Sequence, residues 1–221
     1  MTTKKKSFVY KNSLSIAFLA LFVIGIIGQA ITGWHQYLEH LKGHNQPMVS
    51  FLHYLQTGHF IQATFENWES EFFQMGLFIW FTVFLRQKGS SESKKLSGKE
   101  EVDREPKAHP KSPWPVKRGG IFLWIYKHSL TFSLFFLFII SFYLHWYGSN
   151  KDFNEIQLLE GKQTETMLTY LNNSRLWFES FQNWQSEFLS VFAIIFFSIY
   201  LREIGSPQSK PVDVPYSETE D

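Results

Sequence analysis

A chain of 221 residues with 21 Lys and Arg against 20 Asp and Glu is nearly neutral, which removes any whole-chain electrostatic argument for nucleic acid. The absence of cysteine excludes disulfides, thiolate metal sites and a cysteine nucleophile. The 24 Phe, 9 Tyr and 8 Trp are heavy for a soluble protein, and long apolar blocks alternate with charged connections, as in a small membrane protein with sizeable loops.

The chain starts polar and basic, with Lys4, Lys5, Lys6 and Lys11. Leu14 to Ile31 is then almost wholly apolar. About 20 helical residues at ~1.5 Å each make about 30 Å, enough to span a bilayer. The basic start and Gly28-Gln29-Ala30 also resemble a cleaved signal peptide. A recurrence argues for retention: Tyr10-Lys11-Asn12-Ser13-Leu14 returns as Tyr126-Lys127-His128-Ser129-Leu130 before a second apolar block reaching Tyr147. An internal segment is no signal peptide, so its counterpart is expected to stay as well.

Trp34 to Lys42 continues the first helix to a stop near Gly43, and Pro47 precedes a short amphipathic helix with Phe51, Tyr54 and Leu55. Phe65-Glu66-Asn67-Trp68-Glu69-Ser70-Glu71-Phe72 then opens an apolar run to Leu85-Arg86. Residues 89–119 are rich in Ser, Lys, Glu and Pro and read as a flexible linker. A third apolar block, a short helix around Met167, Tyr170 and Leu171, and a second signature follow. That signature, Phe181-Gln182-Asn183-Trp184-Gln185-Ser186-Glu187-Phe188, precedes a run to Leu201-Arg202. Residues 205–221, with prolines and an acidic end, read as a disordered tail.

The halves align at a constant offset of 116 residues, which reads as a duplicated two-span unit. An even number of spans returns the chain to its starting side, so the repeats are parallel. Seventeen of the 21 Lys and Arg fall on the side holding the termini and linker, which places that side in the cytoplasm.

Phe72 to Leu85 rises only about 21 Å, short of a hydrocarbon core of about 30 Å. The helix must draw in its outer end, which brings Glu71, and likewise Glu187, toward the membrane. Asn67, Glu71, Gln74 and Phe78 share one helical stripe, as do Asn183, Glu187, Ser190 and Ile194. Two readings stay open. Glu71 and Glu187 face each other as a proton or cation relay. Or Asn67 and Asn183 are N-caps, with Glu71 and Glu187 in the first turns. Trp68, Trp184, Arg86 and Arg202 are expected as interfacial anchors. His35, Glu39, His40 and His44 have helical spacing suited to a metal, but Gly43 interrupts it and surface histidines account for them better.

Thr64 to Phe72, Trp177 to Phe188 and Gly205-Ser206-Pro207-Gln208-Ser209-Lys210-Pro211 resemble those of a bacterial family of uncharacterised small membrane proteins. The resemblance implies a bacterial multi-span membrane protein and assigns no catalytic residues. The expectation is therefore an all-α membrane protein with four transmembrane helices as two parallel two-helix repeats and short amphipathic extracytoplasmic helices. The first repeat is 1–88, with spans at about 13–33 and 68–87. The second is 120–204, with spans at about 125–147 and 184–203. It is expected to lie in the bacterial inner membrane with both termini cytoplasmic. The expected role is a non-enzymatic envelope component, or alternatively a small transporter or channel. No metal or cofactor is expected. The expected partners are the lipid bilayer and a second copy or other membrane proteins, with no nucleic acid.

Overall fold

A computed structural model describes residues 7–219. Lys4, Lys5 and Lys6 of the basic start, and Glu220 and Asp221 of the acidic end, lie outside the described residues. Regular structure among the described residues is helical. In chain order it comprises α1 (Phe8–Lys11), α2 (Ser13–Gly43), α3 (Phe51–Tyr54), α4 (Gly58–Thr82), α5 (Trp114–Arg118), α6 (Gly120–Lys127), α7 (Ser129–Leu159), α8 (Met167–Tyr170) and α9 (Ser174–Tyr200). A 3-10 turn at Glu101–Asp103 lies between α4 and α5.

Two helices, α2 and α7, are long and apolar enough to cross a membrane. Only 6% and 11% of their most apolar windows are buried. Their Phe18, Leu19, Ile24, Phe136 and Ile139 point outward. Both helices are 31 residues long, and their starts are 116 residues apart. The starts of α3 and α8, and of α4 and α9, are separated by the same interval.

Each long apolar helix follows a short lead-in helix across a one-residue break. Asn12 and His128 take φ of −122° and −113° there. The Ser13 and Ser129 hydroxyls donate to the carbonyls of Tyr10 and Tyr126 on the other side of each break. The block expected at about 125–147 is thus cut at His128, and its helix continues to Leu159.

Helices α4 and α9 begin ten residues before the expected spans. Asn67 and Asn183 are therefore interior residues and not N-caps. No Gly or Pro separates Gly58 from Asn67, or Ser174 from Asn183, so nothing ends the helix at those asparagines. The cap of α9 is Asn173, whose side chain accepts from the Arg175 N–H.

The chain divides into two compact units that do not follow the sequence halves. One comprises 1–63 with 147–167, the other 64–146 with 168–221. In the first, Tyr37, Leu41 and Tyr54 form a core with Trp34, Val49, Leu55 and Phe60. The Tyr37 hydroxyl donates to Glu155. The start of α4 crosses α7 at two glycines. A Cβ on Gly58 would collide with the backbone of Gly148 and Asp152, and one on Gly148 would lie 2.5 Å from the Gln62 nitrogen.

Burial pushes the Tyr54 phenol up to about 12, with repulsion from Asp152 adding to it. An unfolded chain ionises tyrosine near pH 10, while the folded one holds this proton, so folding is favoured less as pH rises from about 10 toward 12. Denaturation midpoints measured from pH 9 to 12 should fall over that window. They should fall less steeply in Tyr54→Phe, which also loses the 3.2 Å contact of the hydroxyl with His59 Nδ1. Equal slopes for the two proteins would refute this.

In the second unit, the stretches expected to be a flexible linker and a disordered tail carry specific contacts. Gln87 N–H donates to the Ser93 hydroxyl at 2.7 Å, and Glu203 N–H donates to Ser209 at 2.9 Å, so the two loops turn alike. Gly89 and Gly205 hold φ of 85° and 84°, which suits glycine at both turns. Ser90 is buried, with its hydroxyl 2.7 Å from that of Ser198. Ser91 donates to the Gln208 carbonyl. Lys210 is also buried, its ammonium directed at the carbonyls of Pro215, Tyr216 and Glu218. Polar composition suggested solvation for both stretches, but their Ser and Lys residues tie the loop and tail to each other and within themselves, and Ser90 ties the loop to α9. In the linker, a hydrogen bond from Lys94 holds the Asp103 carboxyl below its ordinary range.

Candidate functional site

The most heavily buried charged group lies in the second unit, where α4, α7 and α9 each contribute. Glu69 is on the inward face of α4, one turn from Glu66, and both its carboxylate and the His145 ring of α7 are fully buried. His145 Nδ1 lies 2.6 Å from Glu69 Oε2, and its Nε2 lies 3.1 Å from Glu179 Oε2 on α9. The second Glu179 oxygen accepts from Arg175 Nε at 2.8 Å, an i,i+4 pair along α9. The second Glu69 oxygen accepts from the Trp184 indole at 2.9 Å. Glu66, His145 and Glu179 have ligand-type atoms within 4.8 Å of one another.

Carboxylates only accept hydrogen bonds, so an imidazole between two of them is satisfied when both ring nitrogens donate. The ring is then a cation held between anions, and each charge has a partner, as burial requires. Aromatic side chains pack around the group. Phe73 stacks on Phe138 with centroids 4.8 Å apart, and its ring also meets Trp184 at 4.8 Å.

The expected polar stripe is placed differently. Asn67 and Glu71 are exposed, whereas Glu69, Ser70 and Gln74 turn inward. Glu187 is half-buried and close enough to Glu71 for their charges to interact. The Asn183 side chain donates to the Glu179 carbonyl inside α9. Of the expected anchors, Trp68 packs edge-on to Phe65, while Trp184 holds Glu69. Arg86 folds back onto the Val83 and Leu85 carbonyls just past α4, and Arg202 onto the Ile199 carbonyl near the end of α9 and the Val214 carbonyl. Exposed His40 and His44 pack at a tilt with centroids 4.5 Å apart, and the Nδ1 of His44 bonds the His40 carbonyl. In the same unit, Gln74, Leu77, Phe78, Phe188 and Val191 line an apolar cleft of about 270 Å³.

The sequence reading singled out none of His145, Glu69 and Glu179 as site residues. One signal was available: each is an ionisable residue with no ionisable counterpart 116 residues away, where Gln29, Gln185 and Ala63 stand. Neither the curated proteins nor the solved structures gave a match to this chain. A family profile does match, over residues 5–221, and by that match the chain belongs to the family described as Domain of unknown function (DUF6766).

Proposed function

We propose that this protein is a four-span integral membrane protein of the bacterial plasma membrane, with both termini cytoplasmic, and that it serves as a non-enzymatic membrane component. Exposure of the apolar faces of α2 and α7 carries the reading, because a soluble protein rarely leaves such surface in water. The common 116-residue spacing of helix starts supports two repeats of like orientation. Clustering of basic residues in the start, linker and tail supports their cytoplasmic placement.

The cysteine-free chain gives a direct test. In intact cells, a membrane-impermeant maleimide should label Asn45→Cys, in the loop after α2, and should reach Ser97→Cys only after permeabilisation. The reverse pattern would overturn the orientation, and labelling of both in intact cells would overturn the four spans.

A second reading, passage of protons or cations past Glu71 and Glu187, is favoured by the electrostatic influence of Glu71 on the half-buried Glu187. Reconstituted protein should then carry a flux that Glu71→Gln and Glu187→Gln reduce. Flux unchanged in both would dispose of it.

A further inference from the structure

We propose that Glu66, His145 and Glu179 form a binding site for one divalent first-row transition ion, held in place by Glu69, Trp184 and Arg175. The inference rests on the side chains of the second unit alone and stands whatever the membrane topology.

The donor set suits such an ion. One imidazole and two carboxylates are borderline ligands of the kind that zinc, manganese and ferrous ions accept. Their ligand atoms already lie within 4.8 Å of one another. Ligands at 2.0–2.2 Å around a tetrahedral ion are about 3.4 Å apart, so the site closes by little more than a rotation of the half-buried Glu66 side chain. His145 and Glu179 need almost no movement, being 3.1 Å apart.

The surrounding shell is that of a metal-binding histidine. His145 Nδ1 is occupied by Glu69, which leaves Nε2 as the metal-facing nitrogen. A carboxylate behind a ligating imidazole fixes its tautomer and raises its donor strength. Glu69 is itself fixed by the Trp184 indole, and one Glu179 oxygen is held by Arg175 while the other faces His145 Nε2. His145 and Glu179 therefore each have a second contact that aims them.

The charge balance agrees. With a neutral imidazole, Glu66, Glu69 and Glu179 against Arg175 leave a formal charge of −2. A divalent ion cancels it. The ion takes the place of the proton between His145 Nε2 and Glu179, and that proton leaves to solvent.

The second sequence half does not simply repeat these residues. At the 116-residue interval Glu66 meets Gln182, Glu69 meets Gln185, and Gln29, Ala63 and His59 stand for His145, Glu179 and Arg175. Other signature residues are retained, including Asn67 with Asn183, Trp68 with Trp184 and Ser70 with Ser186. Ionisable groups are thus concentrated in one set, which gives a stoichiometry of one ion per chain.

The test uses full-length protein in detergent, stripped with chelator and titrated with Zn2+ and Mn2+ by calorimetry, with Co2+ absorption as a spectroscopic check. One Zn2+ or Mn2+ per chain is expected. Glu66→Gln and Glu179→Gln should each weaken binding at least tenfold. Glu69→Gln should weaken it 10- to 100-fold through orientation of His145 and shift the Co2+ spectrum. His40→Ala, outside the site, should bind as the parent does. Because His145 variants risk misfolding, the decisive variant is Glu66→Gln, whose metal-free melting point should match the parent's. Absence of saturable binding of either ion by folded parent protein would overturn the proposal. So would full affinity in folded Glu66→Gln, or loss of binding in His40→Ala.

Discussion

Replacing His145 by alanine should cost about 3–5 kcal/mol of stability, the range for breaking a buried ion pair by removing one partner. The ring lies between the Glu69 and Glu179 carboxylates, at 2.6 and 3.1 Å. Without it Glu69, fully buried, keeps the Trp184 indole as a neutral donor, and two like charges face a cavity. For a chain of this size the thermal midpoint in detergent should drop by on the order of 10 °C. The control separates charge from volume: combining His145→Leu with Glu69→Leu and Glu179→Gln removes the ionic group as a whole and should recover most of the loss. A His145→Ala midpoint within 2 °C or so of the parent would contradict the buried ionic group.

The second large effect concerns the crossing of α4 and α7. Gly148→Leu should abolish the packing of the first unit and leave little cooperatively folded protein. The new Cβ would lie 2.5 Å from the Gln62 nitrogen and 2.8 Å from the Ile61 methyl. Overpacking typically costs 1–3 kcal/mol when side chains can yield, and here the obstacle is the backbone of a neighbouring helix, so the cost lies above that range. Gly76→Ala is the matched control, since its Cβ would meet Phe135 at an ordinary 3.5 Å. Its melting curve should stay close to the parent's. Limited proteolysis and thermal unfolding in detergent will distinguish the two, and a well-folded Gly148→Leu protein would disprove the close crossing.

Much of the architecture was legible because it rests on local pattern. Apolar length marked α2 and α7, Gly43 marked the end of α2, and Pro47 marked the turn before Phe51. Helix starts were harder. Asn67 and Asn183 have the chemistry of a cap, but capping needs a chain already leaving the helix, and the preceding residues give no reason to leave. The site was least legible. Glu69 and Glu71 are two residues apart in the same acidic motif, and choosing the inward one requires the rotation of α4 about its axis. Packing of Phe73 on Phe138 reveals that rotation, and the spacing alone does not. His145 likewise gains meaning only from Glu69, 76 positions away. The linker and tail were misleading because polar composition does not distinguish residues that solvate a chain from residues that tie it down, as Ser90 and Lys210 do.

The composition of the buried group bears on why the two halves share one chain. Glu66 and Glu69 precede residue 116, while His145, Arg175, Glu179 and Trp184 follow it. A symmetric dimer of two identical halves makes every contact twice. It can place a histidine opposite a glutamate only by doing so at two sites related by the axis. Two unequal halves joined covalently escape that rule, because each is always present with the other in a fixed ratio and can specialise. Under the proposed repeat architecture, the joined chain holds what no homodimer of either half can have, a single charge centre with no symmetry-related copy.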